Sequence, residues 1–450
     1  MELVATIHQF VWDLLVDWVC FVAVFLCLGL NFAPWRLIPF GLRQLWRALR
    51  HPGPAPGAAE GELDSWSAFL VTLGGTVGIG NITGVALGIS LGGPGVLAWL
   101  WAVSLVGMAL KFAETVLAVQ FRRRLADGSV LAGPMLTIRR GLHRRWRWLA
   151  TVFAAMTVVS AFGSSNGLQV RQLARVMALD LGSPPLLTGL VVALATAAVI
   201  SGGLKRVARV AVVLVPLMVL GYGLAMAVLL LDHLDQLKQV LVQVLDGALA
   251  PSAIAGGSVA VTVSAAVRLA VFSNEAGTGS AAIVQATAWP ADPLRQGTVA
   301  MLGNLVDTAV CSAIGLLVIA SGAYRSGGDP FSVVNAAMTW ARPGSLWISH
   351  LALVLFAFST ILTASVVAER CLVFLTGLRW RPLFRGCWCG ALVLLAPGSG
   401  DGLWQVAELL EALVVLPNLL CLLLLSPFLF HWFAALPKPL PPTPTPGHHP

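Results

Sequence analysis

Apolar residues run along this chain in long blocks separated by short polar connections. A hydrocarbon layer about 30 Å thick takes roughly 20 helical residues to cross. Blocks of that kind fall near residues 11 to 33, 66 to 89, 96 to 119, 149 to 170, 186 to 204, 208 to 231, 252 to 287, 297 to 322, 346 to 369, 384 to 396 and 404 to 433. Eleven membrane helices are expected, the tenth short enough to leave its full crossing open. The first block lacks a basic leading region and an A-x-A-like cleavage site, and it carries Asp13 and Asp17. It therefore reads as a retained helix, not as a signal peptide. The ending "PKPLPPTPTPGHHP" is proline-rich low complexity and is expected to be disordered.

Two blocks are interrupted. "GGTVGIGNITG" (74 to 84) and "FSNEAGTGSA" (272 to 281) place several glycines where each costs a helix about 1 kcal/mol. An opened helix also bares main-chain N–H and C=O groups, at several kcal/mol apiece in hydrocarbon. With the first helix set aside, five blocks run from Trp66 to Leu231 and five from Ser252 to Phe433. Because five is odd, the second set inserts upside down relative to the first, and each set opens on its glycine-interrupted helix. Matched breaks in two halves point to a transporter's binding site. Bare N–H groups there suit a carboxylate, and bare C=O groups suit an ammonium or a small cation. The alternative use of such glycines is close helix packing, which one break alone would leave equally open. The expected fold is all-α and polytopic. Residues 1–60 form an extra N-terminal helix with a basic linker, 61–235 and 236–436 the two five-helix repeats, and 437–450 the tail.

Composition narrows this further. The chain is 58% hydrophobic and 11% charged, against roughly 25% charged in soluble domains, so a separate soluble domain has no room. The net charge of +8 raises the question of nucleic acid, but 21 of the 28 lysines and arginines fall on one set of alternate connections. That is the positive-inside pattern, with the N-terminus outside and the C-terminus in the cytoplasm, and no nucleic-acid motif accompanies it. The seven cysteines lie in or beside apolar blocks without a CxxC pair, and the histidines form no HExxH. No phosphate-binding G-x-x-x-x-G-K-[ST] occurs, and no nucleophile, base and orienter cluster is visible. Neither an enzyme nor an organic cofactor is expected.

The stretches "GTVGIGNITGVALGISLGGPGVLAWLWAVSLVGMALKFAE" (75 to 114), "FSNEAGTGSA" (272 to 281), "ADPLRQGTVAMLGNLVDT" (291 to 308), "LFAFSTIL" (355 to 362) and "LPNLLCLLLLS" (416 to 426) resemble the alanine or glycine:cation symporter family, nearly end to end and in order. The resemblance implies a leucine-transporter-like fold and import of a small neutral amino acid with Na+ or H+. It also implies a bacterial cytoplasmic membrane as the setting and a monomer as the working unit. By the same resemblance Thr76 offers a carbonyl to the substrate amine, while Gly78 and Gly80 let its carboxylate approach the opened backbone. Phe272 and Ser273 would face the substrate, and Gly277 and Thr278 would line its side-chain pocket. Gln169, in "NGLQ", would contact the substrate or make an interhelical hydrogen bond. For the cation, Gly74 and Val77 would give carbonyls and Ser359 and Thr360 hydroxyls, an oxygen set that suits sodium; hydroxyls in helices also bond back to the preceding turn.

Departures from the family bear on specificity. Where members usually read "TTILGWSYYGE", this chain has "STILTASVVAE" (359 to 369). Ala364 replaces a bulky tryptophan near the substrate, and Thr363 replaces the glycine before it. Thr278 makes the pocket more polar, and the approach "AAVRLAVFSNEAG" is shorter than the family's usual form. A substrate larger or more polar than alanine is the expectation, glutamine, serine and threonine among the candidates. Ionisable groups within membrane spans are functional candidates. Glu275 is expected to pin the second break or act as a gate, and Lys111 with Glu114 to form an ion pair near the cytoplasmic rim. Asp307 stands in a family motif without an assigned task. A sensor or channel of the same fold remains the rival function.

Overall fold

The computed structural model describes residues 2–50, 61–249, 258–398 and 402–437; the proline-rich tail from 438 onward lies outside them. The chain is all-α, and the described part of every expected block is helical apart from the interruptions in the second and seventh. The first is α1 (Glu2–Gly29). After the single turn α2 (Ala33–Arg36), the expected basic linker proves to be a helix, α3 (Ile38–Arg50). Arg43, Arg47 and Arg50 point outward while Gly41, Gln44 and Ala48 are buried, the mark of a basic amphipathic helix at a membrane surface. Gly41 permits the contact, since a Cβ there would stand 2.7 Å from the Thr298 carbonyl oxygen.

The first set comprises α4 (Ser65–Thr76), α5 (Thr83–Gly92), α6 (Val96–Phe121), α7 (Pro134–Gly141), α8 (Trp148–Ser160), α9 (Gln169–Leu181), α10 (Pro185–Ile200) and α11 (Gly203–Leu231). A π-helical stretch, Ala161–Leu168, joins α8 to α9, so the span expected to end near 170 continues to Leu181. α12 (Leu234–Leu249) leads to the second set: α13 (Ser258–Asn274), α14 (Ser280–Gln285), α15 (Pro293–Ser321), α16 (Pro330–Ala341), α17 (Leu346–Thr376), α18 (Arg381–Leu395) and α19 (Gly402–Ala434).

Seven helices among the described residues are long and apolar enough to cross a membrane by length and composition. The other expected crossings are the two broken helices, α4–α5 and α13–α14, and the short α10 and α18. Those two pack on each other closely enough that a Cβ on Gly189 would meet the Leu392 carbonyl at 2.8 Å. Along α11, Val213, Leu217, Leu220 and Leu224 are exposed on one stripe, which only a lipid surround makes favourable.

The broken helices and their neighbours α6 and α15 form the centre of the molecule. Leu63 and Asp64, just before α4, pair in parallel with Ala288 and Trp289, just after α14. On that same side, where the basic connections gather, Glu62 takes both its oxygens to Arg370 at 2.9 Å. Arg381 meets Asp127 at 2.5 Å and Arg385 meets Glu369 at 2.6 Å. These pairs join distant parts of the chain on one side of the centre.

Candidate functional site

At the first break the main chain exchanges its partners. Val77 N–H donates to the Leu73 carbonyl, the last regular bond of α4. The next donor, Gly78 N–H, turns to Asn81 Oδ1 at 2.9 Å, and Ile79 N–H turns to Gln169 Oε1 at 3.4 Å. In an unbroken helix those two donors would serve the carbonyls of Gly74 and Gly75. Those carbonyls face Thr360 instead: its hydroxyl oxygen lies 3.4 Å from Gly74 O, 3.3 Å from Gly75 O and 3.4 Å from Val77 O. One hydroxyl has one proton for three carbonyls, so oxygen lone pairs remain over, as a small cation requires. Gly78 allows this approach, since a Cβ there would stand 2.8 Å from Thr360 Oγ1.

The second break spans residues 275–279, between α13 and α14, and is built on left-handed backbone. Glu275 has φ 50°, Gly277 φ 86° and Gly279 φ 75°; glycine adopts such angles freely, whereas glutamate is strained there. Thr278 returns its N–H and its hydroxyl to the Glu275 carbonyl, at 3.3 and 2.8 Å. The Glu275 carboxylate accepts from Ser280 Oγ, across the break. Asn418 of α19 donates to the Gly277 carbonyl at 2.8 Å.

A buried carboxylate joins the two halves. Asp307, fully enclosed in α15, accepts from Asn81 Nδ2 and from the Ser273 hydroxyl, both at 2.6 Å. Ser273, expected to face the substrate, is buried with its hydroxyl on Asp307 and Asn81, and so holds α13 to the first break. Phe272 lies across Gly80, where a Cβ would come within 3.0 Å of its ring.

Two cavities reach this region. A wide one of about 1060 Å³ is lined by residues from the N-terminal end of α1, α5, α9 and α13, Phe272 among them. A narrow one is lined by Thr72, Gly75, Glu275, Thr278, Thr363 and Ala364. Thr363 donates to the Val71 carbonyl at 2.9 Å, and Ala364 leaves space where a large side chain would project.

Most of the expected site residues therefore meet. Gly74, Val77 and Thr360 converge; Thr76, Gly78, Gly80 and Gln169 stand around the first break; Gly277, Thr278, Thr363 and Ala364 surround or adjoin the second. The Ser359 hydroxyl bonds back to the Phe356 carbonyl at 2.9 Å, as helix hydroxyls do. Lys111 and Glu114 correct the expectation of a rim ion pair. Both are buried at mid-helix, Glu114 accepts from Asn418 at 2.6 Å, and among the described residues no ion pair joins them. Asn81 and Asn418 are functional residues that the sequence analysis does not single out; each lies in a quoted motif, and for Asn81 alone an amide within the glycine break was the available signal.

A model of the sodium:alanine symporter family matches residues 1–436. The sodium/alanine symporter AgcS of Methanococcus maripaludis is 34% identical, over 95% of this chain and 95% of that protein. An uncharacterised transporter of Haemophilus influenzae is also 34% identical, over 94% of this chain and 93% of its own length. Among solved structures, MhsT in complex with L-phenylalanine superposes with a TM-score of 0.60 at 17% identity, over 81% of this chain and 89% of that one.

Proposed function

The chain belongs to the sodium:alanine symporter family, and we propose that it imports an amino acid of the alanine and glycine class, coupled to Na+ or H+, by alternating access. The substrate range extends to larger or more polar side chains, and the working unit is a monomer in a bacterial cytoplasmic membrane with the N-terminus outside. Residues 61–235 and 236–436 act as the two repeats. The observation that carries this reading is the transfer of the Gly78 and Ile79 donors to Asn81 and Gln169, which leaves the Gly74 and Gly75 carbonyls to Thr360.

The cation takes its place among the Gly74, Val77, Ser359 and Thr360 oxygens. The substrate ammonium rests on the Thr76 carbonyl, and its carboxylate approaches the main chain at Gly78 and Gly80. Gln169, Phe272, Ser273 and Gly277 shape and hold the site, while Thr278, Thr363 and Ala364 border the side-chain space. Because the cation and the ammonium use oxygens of one opened segment, each stabilises the arrangement the other needs, which is the basis of coupling.

One charge crossing ~100 mV is worth ~2.3 kcal/mol, and ~1.4 kcal/mol is tenfold, so the membrane potential alone sustains roughly 50-fold accumulation. The test is uptake of labelled alanine into proteoliposomes holding the purified protein, under an inward sodium gradient or a proton gradient, followed by counterflow. A carrier exchanges trapped for labelled substrate. Binding without exchange marks a sensor, and non-saturating current marks a channel; either result overturns the proposal.

A further inference from the structure

The narrow cavity has a chemistry of its own. Thr72 and Gly75 place it within about one turn of Thr76, next to the candidate amine site. Its lining also includes Ser160, Ser164 and two carboxylates, Glu275 and Glu411. Thr72, Thr157, Thr278 and Thr363 on its wall each donate their hydroxyl proton to a main-chain carbonyl, at 2.8, 2.8, 2.8 and 2.9 Å. Ser280 gives its proton to Glu275. Ser160, 4% exposed, lines the cavity with a hydroxyl that bonds to none of the described residues. The wall therefore presents oxygen lone pairs and carboxylates. No lysine, arginine or histidine is among the described residues that line it.

Two carboxylates lining one narrow space repel each other, and both are only partly exposed; the buried Lys111 of α6 offsets the charge of Glu275, whereas the charges acting on Glu411 are those of Glu275 and Glu408. A positively charged hydrogen-bond donor relieves both costs; an aliphatic side chain relieves neither, and an acidic one adds to them. The room is about 40 Å³, enough for roughly three waters, the bulk of a terminal ammonium and its last two carbons.

We propose that this cavity is a side-chain subsite for an amino acid ending in an ammonium or guanidinium group, with Glu411 as the selecting residue. Glu275 is tied to Ser280 across the second break; Glu411 meets the Ser164 hydroxyl, which it shares with the Ser160 carbonyl, and is the carboxylate we assign to the substrate. The inference rests on the amino-acid symporter reading above and extends its substrate range from neutral to cationic.

The test is competition against labelled L-alanine on the purified full-length protein in sodium, with L-lysine, L-norleucine and L-glutamate as competitors. Norleucine has the length of lysine without the ammonium. Lysine is expected to compete about tenfold more strongly than norleucine, a difference of ~1.4 kcal/mol, with glutamate weakest. Glu411→Gln is expected to remove that preference and Glu411→Asp to restore part of it. The wild-type comparison stands even where a variant fails to fold. Norleucine equal to lysine, or an unchanged preference in Glu411→Gln, overturns the subsite while leaving alanine binding, and so the symporter reading, intact. Stabilisation by Na+ or K+ alone that depends on Glu411, without a preference for lysine, makes the cavity an inorganic cation site and also overturns it. Absence of any amino-acid binding removes the symporter reading and this inference together.

Discussion

Asn81 Nδ2 stands 2.6 Å from Asp307 Oδ1, and the other oxygen of that carboxylate accepts from Ser273 at the same distance. One buried side chain thus ties the turn of the first broken helix to the last turn of α13. Asp307→Ala removes the acceptor of both short bonds and leaves Asn81 and Ser273 only their longer contacts with each other and with Cys311, a loss of about 1–3 kcal/mol each. A lowered melting temperature in detergent and abolished uptake are the expected results. Ser273→Ala keeps the Asn81 bond and should cost less; a larger loss in Ser273→Ala than in Asp307→Ala would reject this role.

Thr360 and Ser359 are neighbours with different commitments. Thr360→Val removes the hydroxyl that faces three carbonyls and should raise the sodium concentration for half-maximal uptake at least about tenfold, or ~1.4 kcal/mol. Ser359→Ala removes a hydroxyl bonded back to Phe356 and should raise it less. Sodium titrations of alanine uptake compare the two, and the reverse order would remove Thr360 from the cation site.

Gly75 and Thr363 share a tight contact, since a Cβ at Gly75 would stand 2.7 Å from Thr363 Cγ2. Gly75→Ala should cost about 1–3 kcal/mol through overpacking. Thr363→Ser removes that methyl group and keeps the hydroxyl, so it should recover part of the loss in the double variant. Additive effects in a double-mutant cycle on thermal stability would show that the two do not press on each other.

Ala364→Trp fills the cavity beside Thr363 and Gly75. Competition for alanine uptake by amino acids larger than alanine should fall sharply, with alanine and glycine themselves retained. A variant that still accepts the larger competitors would mean that residue 364 does not bound the substrate.

Much of this was legible before any coordinates. The apolar blocks are largely helical, seven helices among the described residues being long and apolar enough to cross a membrane, because a membrane span is mainly a matter of composition and length. The two breaks showed because glycine runs in such blocks are costly unless used. The gathering of Gly74, Val77 and Thr360 followed from motif resemblance. What the sequence hid depends on three-dimensional placement. The Asn81 and Asp307 pair is separated by 226 positions, and nothing local marks Asn418 as the partner of Glu114. The π-helical stretch at Ala161–Leu168 has no compositional sign. In α3, arginines at helical spacing resemble the scattered charge of a linker until Gly41 is seen against α15.

The central claim is that opened main chain at the two breaks holds an amino acid's ammonium and carboxylate beside a coupling ion. Thermal unfolding of the purified protein against the twenty amino acids in both enantiomers, with and without sodium, tests it most directly when alaninol and propionate are included as analogues lacking one charged group. The account predicts a sodium-dependent rise in melting temperature for at least one amino acid and none for either analogue. Equal stabilisation by the analogues, or no stabilisation by any amino acid at any sodium concentration, would contradict it.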